Sequence, residues 1–210
     1  MALTQRKKRP LDRSLKTLRD TRLLIIATEG RMTEKQYFAQ FHNRGIQVKV
    51  IPTGEDNKSS PEYVLERLKH FRQEHELEMN DELWLMIDVD RWQTQTLKKV
   101  TKEAKDSGFQ LAISNPCFET WLLCHYILPT LKTRACKKIT EQLEKELKRV
   151  HNSGYNKAKL NTDYFKPYVE QAVRNAKKLD NKPNARWPYQ VGSHVYKVVE
   201  QLVTIDFHIC

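Results

Sequence analysis

Four short apolar segments alternate with longer segments of mixed polarity in the first two thirds of the chain. The apolar segments lie at residues 23–27, 46–51, 83–87 and 109–113. Short apolar runs that end in turn residues are typical of buried strands. The intervening segments have helical spacing, at about 33–42, from Pro61 onward and at about 95–106, and a further helix is expected from Asn115-Pro116. This alternation predicts an α/β fold in which helices cover a parallel sheet.

Beyond Pro129 the pattern is helical and basic. Helices are expected at about 136–150, 163–179 and 194–203, with a Pro- and Asn-rich stretch at 181–188. The predicted organisation therefore has three parts. A basic segment at 1–20 precedes an α/β catalytic core at 21–128, and a basic helical region at 129–210 closes on that core.

The charge distribution matches this division. The chain carries a formal net charge of +11, yet residues 21–127 hold 14 basic and 16 acidic side chains. Residues 1–20 hold seven basic against two acidic side chains, and residues 128–190 hold 15 against six. Two basic segments that flank a near-neutral core favour a polyanionic partner such as nucleic acid. A solvated lysine-rich helix surface is the alternative.

Targeting signals and thiol chemistry narrow the cellular context. No apolar run approaches the ~20 residues of a membrane span, and the basic N-terminus leads into no apolar stretch. A cytoplasmic protein with no membrane partner is expected.

The four cysteines of the chain lack the paired spacing of zinc sites, so reduced thiols are predicted. Cys117 and Cys124, seven residues apart, are expected on one helix face as core residues.

Acidic residues follow the predicted strands. Glu29 comes just after the first strand, Asp88 and Asp90 come just after the third, and Glu119 lies in the first turn of the helix after the fourth. Glu34 opens the first helix. Because ligands of open α/β sheets gather at the carboxyl ends of the strands, we expect most of these carboxylates to converge on one edge.

A converging carboxylate cluster indicates a cation. Oxygen ligands suit Mg²⁺, which can activate a water for phosphodiester hydrolysis. An acidic pair directly after an apolar strand, as at Asp88 and Asp90, favours function over packing. Glu34 and Glu119 have an alternative role, since acidic residues also stabilise the positive end of a helix dipole.

Four segments of the sequence resemble the RloB family. TEGRMTEKQYF at 28–38 is similar to its EGxxTExxYF opening, and DVDR at 88–91 is similar to its DxDx segment. SNPCFETWLLCH at 114–125 is close to its SNPxFExWLLxH block, and VYKVV at 195–199 resembles its C-terminal segment. The blocks occur in the family's order and span nearly the whole chain.

The resemblance implies a Toprim-like nuclease subunit. The fold would be a parallel four-stranded sheet flanked by helices, with the basic helical extension at the C-terminus. Glu29 (or Glu34), Asp88 and Asp90 would be the metal ligands for Mg²⁺ or Mn²⁺, and Glu119 would be a further acidic ligand. The resemblance also implies an AAA- or ABC-type ATPase as partner, in anti-phage defence by abortive infection. Here Arg91-Trp92 replaces an acidic residue that often follows the Asp pair, which favours one metal ion over two.

The predicted function is metal-dependent hydrolysis of phosphodiester bonds in RNA, with tRNA as one candidate, or in DNA. The alternative is a non-catalytic basic subunit that binds nucleic acid or docks on an ATPase. Nucleic-acid contacts are expected from Lys157, Lys159 and Lys197. The aromatic and basic residues from Tyr155 to Lys166 either stack bases or line a core margin. His125 is interpreted as a core residue rather than a general base, and His194 as substrate-facing or merely a surface residue.

Overall fold

The fold is described here from a computed structural model, which covers residues 21–41, 45–54, 58–130 and 135–204. The predicted basic segment at 1–20 lies outside these residues. Within the described part of the chain, no helix is long and apolar enough to cross a membrane.

A four-stranded parallel sheet forms the centre of the fold. Its strands are β1 (Arg22–Thr28), β2 (Ile46–Ile51), β3 (Glu82–Met86) and β4 (Gln110–Leu111). They lie in the order β2-β1-β3-β4, and every neighbouring pair is parallel. The α/β prediction with a Toprim-like parallel sheet flanked by helices is confirmed. Because β1 and β3 are interior strands of this order, their carboxyl ends lie side by side.

Seven helices accompany the sheet in the described residues. They are α1 (Thr33–Phe38), α2 (Pro61–Glu74), α3 (Thr94–Asp106), α4 (Glu119–Cys124), α5 (Cys136–His151), α6 (Val169–Leu179) and α7 (Tyr196–Thr204). The short antiparallel strands β5 (Ser114–Asn115) and β6 (Gly192–Ser193) join the predicted core to the C-terminal region.

Two predicted boundaries are wrong for local reasons. The helix expected from Asn115-Pro116 begins only at Glu119, because the preceding backbone is extended and pairs with β6. The helix expected at about 163–179 begins at Val169, after two 3₁₀ turns at Thr162–Tyr164 and Lys166–Tyr168. Pro167 explains the delay, since proline has no N–H for a helical hydrogen bond.

Both faces of the sheet are buried. One apolar cluster joins alternate residues of β1, such as Ile25 and Ala27, to α2 and α3. The other joins Leu24 and Ile26 to α1 and α4 and to the helices beyond position 129. Burial on both faces explains why β1 and β3 are almost wholly apolar rather than alternating.

His125 belongs to the second cluster and is fully buried. Its Nδ1 lies 3.1 Å from the Trp121 carbonyl oxygen, so this nitrogen carries the proton. Nε2 then accepts from the Tyr37 hydroxyl at 3.1 Å. Burial lowers the pKa of His125 to about 3. A neutral, doubly hydrogen-bonded histidine in an aromatic core has a structural role, as expected.

The expectation of four reduced cysteines is wrong for two of them. Cys117 and Cys136 form a disulfide, with their Cα atoms 5.7 Å apart. Cys124 is a free, buried cysteine, and Cys210 lies outside the described residues. Cys117 precedes α4 rather than sharing a helix face with Cys124. Proximity across the fold, which sequence spacing does not encode, brings the two sulfurs together.

Candidate active site

The five predicted carboxylates line one pocket. This pocket, of about 300 Å³, lies at the carboxyl ends of β1 and β3. Its lining includes all five acidic side chains of the sequence hypothesis, namely Glu29, Glu34, Asp88, Asp90 and Glu119. Glu29, Glu34 and Glu119 are buried, Asp88 is half-buried and Asp90 is exposed. The buried glutamates therefore form an acidic wall inside the pocket, and Asp90 lies at its solvent-exposed edge.

Glu29 is fixed at the end of β1 by the neighbouring strand. Its backbone N–H donates to the Met86 carbonyl at 3.1 Å. Its Oε2 accepts from the Asp88 backbone N–H at 3.1 Å and from the Trp92 indole N–H at 3.0 Å. Burial raises the pKa of Glu29, although both hydrogen bonds oppose that shift. Trp92 thus orients this carboxylate.

Glu34 bends back toward the turn that precedes α1. Its Oε1 accepts from the Gly30 backbone N–H at 3.1 Å. Burial, and then the charges of Glu119 and Glu29, raise the pKa of Glu34 to about 7. The position in the first turn of α1 also suits the dipole role considered above. Both roles are compatible with the geometry.

The loop with Asp88 and Asp90 is held by the segment before α4. The Val89 N–H lies 3.0 Å from the carbonyl oxygens of both Ser114 and Pro116, and the Asp90 N–H donates to Pro116 at 3.1 Å. Burial raises the pKa of Asp88 well above its ordinary value, and Glu29, Glu34 and Glu119 raise it further. Burial also raises the pKa of Asp90, by less than that of Asp88, and the charge of Arg91 opposes this rise. Burial is therefore the main cause of the raised pKa values in this loop, and repulsion from neighbouring carboxylates adds to it.

Glu119 meets three groups from the C-terminal region. Its Oε1 accepts from the Tyr155 hydroxyl at 3.0 Å and pairs with the Lys157 amine at 2.5 Å. The Cys136 sulfur lies 3.5 Å from Oε2. Burial and the Glu119 charge raise the pKa of Tyr155, so its hydroxyl stays protonated. The sequence predicts either base stacking or a core margin for Tyr155, and nothing in its local sequence indicates the contact with Glu119.

The three predicted nucleic-acid-binding lysines occupy different places. Lys157 lines the carboxylate pocket, and Lys159 lines an adjoining cavity. Lys197 lies elsewhere on α7, where its amine donates to the Pro183 carbonyl at 2.6 Å. Burial lowers the pKa of Lys197. The structure thus brings Lys157 to the acidic cluster but does not bring Lys197 there.

His194 is not a lining residue of the pocket. It is fully buried, and its Nε2 lies 3.1 Å from Asp180 Oδ2. Burial, followed by the nearby charge of Lys197, lowers the pKa of His194 to about 4. The expectation that it lies at the surface is wrong, and a substrate-facing orientation is not what the structure shows.

The donor chemistry of the pocket fits a hard divalent cation. Glu29, Asp88 and Asp90 offer oxygen ligands, which Mg²⁺ and Mn²⁺ prefer. A more compact group also exists among the described residues: Cys117, Glu119 and Cys136 place ligand atoms within 4.8 Å of one another. Because its two sulfurs are joined in the disulfide, this group offers no thiolate for a soft metal. The carboxylate oxygens of the pocket are therefore the donors that suit an oxygen-preferring ion.

Comparison with known proteins identifies the family. The model of the RloB-like protein family matches residues 24–202. The chain belongs to the RloB-like family. No curated protein and no solved structure matches it. All five pocket carboxylates fall inside the matched span, and RloB-like membership agrees with the Toprim-like sheet and with a nuclease of defence systems.

Proposed function

We propose that this RloB-like chain is a metal-dependent nuclease that hydrolyses phosphodiester bonds in nucleic acid. The observation that supports it is the convergence of five carboxylates on one pocket with a lysine amine among them. Acidic residues from separate elements of a sheet seldom share a buried wall without a cation, because their mutual repulsion destabilises the fold. Burial is the main cause of the raised pKa values of Glu29, Glu34 and Asp88, and neighbouring carboxylates raise each pKa further.

In the proposed site, Glu29, Asp88 and Asp90 would hold Mg²⁺ or Mn²⁺. When bound, such an ion supplies a water of lowered pKa and positive charge for the phosphate. Trp92 keeps Glu29 in place through its indole N–H. Glu34 and Glu119 complete the acidic wall as further candidate catalytic residues.

Lys157 is proposed to neutralise the phosphate that enters the pocket. Its amine pairs with Glu119 in the structure, and its side chain is more than half exposed, so it can turn toward a polyanion. A lysine beside a phosphodiester stabilises the charge that develops during cleavage. Lys159 is proposed to contact the nucleic acid nearby, and a contribution from Lys197 stays a prediction.

Family membership supports a wider proposal about context. RloB-like proteins are associated with anti-phage defence, so we propose that this chain is an effector that works with an AAA- or ABC-type ATPase. The substrate is RNA, with tRNA as one candidate, or DNA.

The test compares Asp88→Asn with a matched control, Asp106→Asn. Asp106 lies at the end of α3 outside the pocket, where it pairs with Lys102. Purified protein is incubated with total tRNA, single-stranded RNA and plasmid DNA in Mg²⁺, Mn²⁺ or EDTA. We expect metal-dependent cleavage that EDTA stops. Asp88→Asn should lose more than the roughly 10–100-fold that loss of an outer-shell partner costs, and Asp106→Asn should match the wild type.

The opposite result identifies the alternative function. Nucleic-acid binding without cleavage in any metal, with equal binding by Asp88→Asn, would favour a non-catalytic binding or ATPase-docking subunit. Cleavage that persists in EDTA would contradict the metal dependence.

A further inference from the structure

A second cavity lies beside the carboxylate pocket, and the segment 155–159 separates the two. This cavity has a volume of about 370 Å³. Tyr155 lines it while its hydroxyl reaches Glu119 of the carboxylate pocket. Lys157 and Ala158 line the carboxylate pocket, and Lys159 lines the second cavity. A ligand that spans residues 155–159 would therefore contact both the carboxylate pocket and the second cavity.

The dividing segment is held firmly on α1. The Thr33 hydroxyl donates to the Lys157 carbonyl at 3.0 Å, and the Gln36 amide donates to the Ala158 carbonyl at 2.8 Å. The same Gln36 side chain accepts from the Leu160 N–H at 2.5 Å. Both cavities therefore keep a fixed spacing, which a binding site for adjacent parts of one ligand requires.

The lining of the second cavity suits a flat aromatic ring with polar edges. Leu147 and Phe165 provide apolar surface, and the Tyr164 ring stacks on His151 with centroids 4.3 Å apart. Two asparagine side chains, Asn156 and Asn161, also line it. Their amide oxygens accept backbone N–H groups at 2.9 Å and 3.2 Å, which leaves each NH₂ group oriented as a donor. Neither NH₂ group donates to another residue in the described part of the chain.

We propose that the second cavity binds the base of a nucleotide next to the scissile phosphate of a single-stranded substrate. The inference rests on the proposed nuclease function and names its substrate class. An unstacked base offers a π-face for aromatic contact and carbonyl acceptors for amide donors, which duplex bases keep inside the stack. Lys159 lies where the phosphate beyond that base would pass. The substrate class is thus a single strand, or a loop with a base free to turn outward.

The experiment uses the full chain with 5′-fluorescein-labelled twelve-residue oligo(U) and oligo(dT) as probes. Ca²⁺ replaces Mg²⁺ so that binding is measured apart from cleavage, and fluorescence anisotropy gives Kd. A single abasic unit is moved along each strand. We expect one position at which the missing base weakens binding by roughly five- to hundredfold, the range for a stacked base. Comparing the two strands shows whether the ribose 2′-OH contributes.

Variants connect that position to the cavity. A Cβ on Gly154 meets open space, so Gly154→Phe should place a ring at the cavity without disturbing packed neighbours. In this variant the intact strand should bind as weakly as the abasic one. Lys159→Ala should weaken binding of every strand, while Lys99→Ala, which changes an exposed lysine of α3 outside both cavity linings, is its matched control.

The outcomes of these experiments distinguish the proposed base site from the proposed nuclease function. A position-dependent abasic effect that disappears in Gly154→Phe supports the base site, even if no metal produces cleavage. Equal binding of abasic strands at every position, or no binding of either oligonucleotide, would overturn the base site, even if plasmid or tRNA is cleaved. Should Gly154→Phe fail to fold, the abasic scan on the wild type decides alone.

Discussion

Gly30 lies where β1 turns into α1, and its missing side chain leaves room for the Glu34 carboxylate. A Cβ at this position would overlap that carboxylate. We predict that Gly30→Ala displaces the Glu34 carboxylate and removes its hydrogen bond to the Gly30 amide. The free energy of unfolding should fall by about 1–3 kcal/mol, as for other overpacked sites. Urea unfolding in EDTA measures this loss.

Gly45→Ala is the matched control, because a Cβ there meets nothing within 4 Å. Alanine at an unstrained position leaves stability unchanged or slightly raised. Thermal unfolding with and without Mn²⁺ provides a second measurement, since a bound ion stabilises the fold by mass action. The Mn²⁺ shift should shrink in Gly30→Ala and persist in Gly45→Ala. Equal stability and equal shifts in both variants would contradict the packing of Glu34 against Gly30.

Residues of the site differ in how far the sequence predicts them. Glu29, Asp88 and Asp90 each follow an apolar strand, and strand order in a parallel sheet brings such positions to one edge. Trp92 and Tyr155 reach their carboxylates across 63 and 36 positions of sequence. Such contacts depend on loop conformation and on how helices pack, which no local pattern encodes. Side chains that orient the ligands therefore emerge only from the structure.

At the scale of elements, the disulfide is the covalent link between the segment before α4 and the start of α5. Cys117 and Cys136 are separated by 19 positions. Closing a loop of this length in the unfolded chain contributes about 3 kcal/mol by the chain-entropy model. We predict that TCEP lowers the free energy of unfolding of the wild type by about that amount. Urea unfolding with and without TCEP tests it.

The double variant Cys117→Ser/Cys136→Ser is the control. It should have the stability of the reduced wild type and should not respond to TCEP, whereas Cys124 stays buried in both proteins. A wild type whose unfolding is the same with and without TCEP, and whose four cysteines all react as free thiols with Ellman's reagent in urea before reduction, would show that the disulfide does not form in solution.

The boundaries of helices and strands show where the sequence pattern fails to predict the structure. The pattern places strand β2 correctly at Ile46–Ile51, because Pro52 and Gly54 end it. The pattern starts α6 too early, at about residue 163, because the apolar spacing around Tyr164 and Tyr168 continues through two 3₁₀ turns. The small sheet of β5 and β6 is missed, because two-residue strands have no periodicity to detect. Pairing across the fold, rather than local propensity, forms these elements.

At the scale of the whole molecule, the α/β part and the C-terminal helices share one core. Half of the buried residues in the cluster that contains Trp121 lie beyond position 129, among them Leu143, Phe165 and Val198. Trp121, Leu122 and Leu123 are fully buried by these neighbours and by α1. The predicted boundary near 128 therefore divides the chain by charge, whereas the packing crosses it.

This shared core predicts that residues 1–128 do not fold without the remainder. Each large apolar side chain left uncovered loses about 1.5–3 kcal/mol of burial. Several such losses exceed the 5–15 kcal/mol that stabilises a typical domain. The full chain should unfold in urea with coincident transitions by far-UV circular dichroism and by fluorescence of Trp84 and Trp121, which belong to this cluster. The fragment should show no cooperative transition.

A fragment 1–128 that unfolds cooperatively, with native-like tryptophan fluorescence, would contradict this prediction and support an independent α/β domain.

The shared core also determines whether the carboxylate pocket can form. Tyr155 and Lys157 approach Glu119 only because the C-terminal region packs on α1 and α4. If folding of the two regions is one event, the acidic pocket exists only in the complete fold. Any event that loosens the C-terminal helices from α4 would then remove Lys157 from the site and expose the carboxylates together.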